Sequence, residues 1–134
     1  MYGVPLMILP LIGYNVLEFV FGGVDWQAPL FSLAMSSGAV WTATASDIFL
    51  LVALVFLFIE ILKATHTGSG SIVDHILSTV VFVGCVIEFL LVPRAATSTF
   101  FLMTAIAFVD VVAGFSITIR GARRDFAVGP HGDA

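Results

Sequence analysis

Each of four apolar stretches has an acidic residue within or beside it: Glu18, Glu60, Glu88 and Asp110. Carboxyl groups brought together can share a proton or hold a cation. An ionised acid at the centre of a membrane helix costs about 2.5 to 3.5 kcal/mol, so four central and exposed acids would cost on the order of 10 kcal/mol. Each must therefore be shallow, neutral, paired or turned toward protein.

Their neighbours separate them. Lys63 stands three residues after Glu60, the spacing of a helical ion pair whose long side chains both reach the membrane interface, so this acid reads as structural. Glu18 and Glu88 lie near helix ends on one side of the membrane, with Tyr14 and Asn15 one turn before the first and Cys85 before the second. They are either converging acids of a proton or cation site or interfacial groups bonded to the adjoining loop. Asp110 is the acid expected at mid-membrane, and it shares a helix face with Ala107, Ala113 and Gly114, small residues that let a neighbour approach closely. Its structural alternative is a neutral acid donating an interhelical hydrogen bond, worth about 0.6 to 2 kcal/mol in membranes. Asp74, Ser78, Val81, Cys85 and Glu88 follow helical spacing and make a mainly polar stripe expected to face the bundle.

Other chemistry is absent. His66 and His75 flank a loop and His131 lies in the tail, so no histidine is expected within a span, and haem ligation or a mid-membrane histidine relay is disfavoured. Cys85 is the single cysteine, which leaves neither a disulfide nor a zinc or iron–sulfur ligand set. No phosphate loop, nucleophile elbow or HExxH pair occurs, so no cofactor, metal or enzymatic activity is expected. The net charge of −4, with no basic stripe, argues against nucleic acid.

The elements that carry these acids follow from composition. With 60% hydrophobic and 10% charged residues and a mean hydropathy of +1.12, the chain suits lipid rather than water. A spanning helix needs about 20 mostly apolar residues, and four segments qualify, roughly Tyr2–Phe21, Asp47–Lys63, Ile72–Val92 and Thr97–Ile119. From Ile48 to Ile59 no side chain carries a polar atom, and a helix apolar all round belongs in lipid. The first segment lacks a positive leader region and a small-x-small cleavage site, so it is expected to be retained, with a kink near Pro10. The expected fold is an all-α membrane protein, a four-transmembrane-helix bundle occupying residues 1–120.

The loop of residues 22–46 has two runs of strand formers, Leu30–Ala34 and Ala39–Ala45, around Met35-Ser36-Ser37-Gly38, the pattern of a short outer β-hairpin between the first and second helices. An interfacial segment is the alternative, because Trp26 and Trp41 suit the headgroup level. The loop Ala64–Ser71 is a flexible connector, and Ser71 with Asp74 resembles a capping box. Arg120, Arg123 and Arg124 follow the fourth span and Lys63 the second, whereas Arg94 alone separates the third and fourth. The positive-inside rule then places both termini in the cytoplasm. The three arginines are expected on anionic headgroups, ahead of a partly disordered tail at 121–134. Compactness and arginine placement point to a bacterial inner membrane.

Two functions are compatible with this pattern. The first is a small structural or accessory membrane protein, packing its thirteen phenylalanines and small-residue faces against lipid, copies of itself or a larger complex. The second is a homo-oligomeric proton- or cation-conducting channel or transporter using Asp110, with Glu18 and Glu88 as outer acids. Four helices enclose little volume, so both expect partners.

Overall fold

The computed structural model describes residues 4–66 and 71–128, without the side chains of His66, Ser71, Thr118 and residues 121–128. The chain is mainly helical. Helix α1 (Ile8–Asn15) runs on into a π-helical turn, Val16–Val20. Strands β1 (Pro29–Ala34) and β2 (Val40–Thr44) follow, and then helices α2 (Ala45–His66), α3 (Ser71–Leu91) and α4 (Ser98–Val128). A single 3-10 turn, Pro93–Ala95, joins α3 to α4.

Three helices are long and apolar enough to cross a membrane, over Ala45–Thr65, Ile72–Leu91 and Ser98–Ile117. The first expected span is shorter as a helix than Tyr2–Phe21. Ile8–Val20 rises about 20 Å at 1.5 Å per residue, below the roughly 30 Å of a hydrocarbon core. Its irregularity is the π-turn and not Pro10, which lies in the first helical turn where its missing N–H leaves no bond unmade. Gly22 and Gly23, both at positive φ, end the segment, and the Gly23 amide donates to Leu17 O at 3.0 Å.

The expected hairpin forms. β1 and β2 pair antiparallel, with Ser32 opposite Thr42, Leu33 opposite Trp41 and an irregularity between Pro29 and Phe31. Gly38 takes φ +92° in the turn, which closes through Met35 N donating to Ala39 O at 2.7 Å. The hairpin runs into α2 without a linker. Asp47 N donates to Thr44 Oγ1 and Thr44 N donates to Asp47 Oδ2, at 3.2 and 2.9 Å, a reciprocal cap with Asp in the usual Glu position.

α4 packs against both α2 and α3. The core between them holds Tyr14, Trp26, Leu57, Val81, Phe100 and Met103. α4 does not stop at Ile119 but continues through Val128, so the first part of the expected disordered tail is helical. The side chains of Arg123 and Arg124, the capping role of Ser71, the loop at 67–70, His131 and the rest of the tail lie outside the described residues.

Candidate functional site

Two polar regions occupy opposite ends of the helices. At the hairpin end, Tyr14 of α1 is fully buried and its ring stacks on Trp26 with centroids 5.1 Å apart, while Phe49 and Phe100 meet it edge-on. Its hydroxyl bonds Arg94 O at 2.8 Å and Thr97 Oγ1 at 2.9 Å. Trp26 Nε1 donates to Glu18 Oε1 at 2.8 Å. Arg94 donates to Glu18 O at 2.6 Å and stands over the Phe19 ring, a cation at the carbonyl end of the π-turn. Ser46 and Thr99 share a buried hydrogen bond of 2.7 Å between α2 and α4.

The expected outer acids are thus held by different donors. Glu18 accepts from Trp26, and Glu88 accepts from Asn15 Nδ2 at 3.2 Å, with its Oε2 unpartnered. Trp26, expected at the headgroup level, is buried in the aromatic cluster because Glu18 gives its indole N–H an internal acceptor. Trp41 is exposed on the hairpin, and Arg120 is exposed on α4.

At the other end, α2, α3 and α4 bring together Glu60, Lys63, Asp74, His75, Ser78 and Asp110. Lys63 Nζ lies 3.3 Å from Glu60 Oε1 and 3.4 Å from Asp74 Oδ2, bridging two helices. Glu60 is paired with Lys63 and also covered by protein. It is only 4% exposed, because the N-terminal segment closes over it: Leu6 N donates to Glu60 Oε1 at 2.5 Å, and Lys63 donates to Val4 O at 3.2 Å. Glu60, Asp74 and Lys63 all act electrostatically on Asp110, which faces Ser78 across the α3–α4 contact. Asp110 therefore belongs to this cluster rather than standing alone at mid-depth.

His75 overturns the expectation that no histidine sits within a span. It lies inside α3, 6% exposed, with its ring against Gly114 and Phe115 of α4. A Cβ on Gly114 would meet His75 Nδ1 at 2.5 Å, so that glycine is what admits the ring. Gly114 thus receives a side chain and not a neighbouring backbone.

Among the described residues, four buried polar atoms in this cluster lie outside hydrogen-bond distance of any partner: Asp74 Oδ1, His75 Nε2, Ser78 Oγ and Asp110 Oδ2. Each unmet group of this kind costs about 1 to 3 kcal/mol. A cluster evolved only to hold helices together gains nothing from leaving them unmet. Two carboxyl groups, an imidazole and a hydroxyl thus keep hydrogen-bonding capacity to spare. No group of three or more His, Cys, Asp or Glu side chains suited to a metal ion occurs among the described residues. No family model, curated protein or solved structure matches the chain.

Proposed function

We propose that the chain is a multi-pass membrane protein that exchanges protons at the buried centre formed by Glu60, Asp74, His75 and Asp110. Four crossings suit the bonding. The N-terminal segment begins beside Glu60 and Lys63, and α1 with its π-turn ends beside Trp26 and Arg94, so the segment runs the depth between the two polar regions. The observation that carries the reading is the set of four buried polar atoms on two adjacent helices that find no partner among the described residues.

The groups that act on Asp110 come from each packed element: Glu60 and Lys63 from α2, Asp74 and Ser78 from α3. Lys63 offsets the charge of its two carboxylate neighbours, which keeps proton binding at this depth affordable. Above the centre the α3 stripe passes Val81 before reaching Cys85 and Glu88, so a proton path to the hairpin end must cross an apolar layer with Leu57 and Met103.

The test is purified protein in liposomes under an imposed pH gradient, with proton entry recorded by a trapped dye. Flux in the wild type that disappears in Asp110→Asn supports proton exchange. Flux no greater than in empty liposomes removes it.

The accessory reading keeps one observation of its own. An apolar groove of about 320 Å³ runs between α3 and α4, lined by Phe82, Phe89, Phe101, Thr104 and Phe108. The Thr104 hydroxyl is turned to Phe100 O at 2.9 Å, so the groove presents no free donor and suits another apolar helix. Capture of a membrane partner by a chain that moves no protons supports this second function.

A further inference from the structure

The hairpin has two unlike faces. Phe31, Leu33 and Trp41 share one side, with Phe31 and Trp41 in edge contact at 5.8 Å, and all three are about half exposed. The opposite side presents Ser32, Ala34, Val40 and Thr42, with a 2.9 Å hydrogen bond between Ser32 and Thr42. No Asp, Glu, Lys or Arg occurs between Asp25 and Asp47, so the whole hairpin is uncharged.

Its position relative to α2 is fixed at the base. Ala45 N donates to Ala28 O at 3.1 Å and Ser46 N to Trp26 O at 2.9 Å, and the Thr44–Asp47 cap joins β2 to the first turn of the helix. The strands therefore begin at the first turn of α2. Depth is limited from the other direction. The sheet has two strands only, so its outer edges carry backbone N–H and C=O groups without a strand partner. Such edges are not tolerated in hydrocarbon but are satisfied among hydrated headgroups.

We propose that the hairpin lies along the bilayer surface at the boundary between headgroups and acyl chains, with Phe31, Leu33 and Trp41 turned into the lipid and Ser32 and Thr42 turned to water. This rests on the membrane reading of the three long helices. Aromatic side chains are the ones that settle at that depth, and an uncharged face binds lipid without regard to headgroup charge. The hairpin is thereby a surface anchor that sets the depth of α2, in contrast to the arginines that follow the fourth span.

The experiment is fluorescence of the full-length protein in phosphatidylcholine vesicles brominated at shallow or at deep acyl positions. The difference between wild type and Trp41→Phe isolates the Trp41 signal, since Trp26 is buried. The expected result is stronger quenching by the shallow bromines, unchanged when part of the lipid is replaced by anionic phosphatidylglycerol. Stronger quenching by deep bromines, a dependence on anionic lipid, or no quenching by either lipid overturns the proposal. In the last case iodide distinguishes a hairpin in water from one covered by a second copy or another protein. Flotation of the same samples separates the failures: protein that does not float with the vesicles sinks the membrane reading itself, whereas floating protein with unquenched Trp41 sinks the anchor alone.

Discussion

The two polar regions use similar residues to opposite effect. At the hairpin end, Tyr14, Trp26, Glu18, Arg94, Ser46 and Thr99 all have partners, and the aromatic rings fill the space between them. At the Lys63 end, two carboxyls, an imidazole and a hydroxyl are buried with atoms left over. Satisfied polar groups in an apolar surround fix a geometry, and unsatisfied ones stand ready to bind something. Glu88 is the exception at the hairpin end, with one oxygen bonded to Asn15 and the other unmet.

Substitutions can break this contrast at either end. The largest loss of stability is expected from Tyr14→Ala, on the order of 3 to 5 kcal/mol for deleting a buried aromatic side chain, read as a lower unfolding midpoint in mild detergent. Proton flux in whatever fraction remains folded should persist. Lys63→Met leaves Glu60 and Asp74 buried without their shared cation, a change expected to cost about 3 kcal/mol or somewhat more, and here flux should fall along with stability. A Lys63→Met protein as stable as the wild type would show that the two acids are not charged neighbours of that lysine.

Gly114→Ala sharpens the comparison, because it acts on His75 alone. Overpacking of this kind costs about 1 to 3 kcal/mol, and the Gly114→Ala/His75→Ala double variant should recover most of it while remaining without flux. Failure of the double variant to recover stability would place the obstruction elsewhere. The smallest effect belongs to Ser32→Ala on the hairpin, about 0.2 to 1 kcal/mol for an exposed cross-strand pair, with flux unchanged.

The hairpin was legible because its signals are local: strand formers on both sides of Ser36-Ser37-Gly38, with the glycine where a positive φ is required. The three long helices were legible from apolar run length, with ends shifted by no more than three residues except at the end of α4, which runs on from Ile119 through Val128. The Thr44–Asp47 spacing is a further local signal, that of a helix cap. What escaped was set by distant contacts. Nothing near Glu60 in sequence announces that Leu6, 54 positions away, closes over it. His75 stands four residues into α3, a place that sequence distance alone assigns to the membrane edge. Gly114 of a different helix is what draws its ring inside. Asp110 was singled out on its own small-residue face, but its association with Asp74 and His75 needed the α3–α4 packing.

The centre's capacity to bind a proton can be observed without any transport assay. Infrared difference spectra of the protein in lipid membranes, recorded between acidic and alkaline buffer, report the C=O band of each carboxyl that changes protonation. The expected result is a buried carboxyl band that titrates in the wild type and in Glu18→Gln but is lost in Asp110→Asn. A spectrum without such a band, or one in which the band survives Asp110→Asn, would contradict the assignment of the Lys63 end as a proton-exchanging centre.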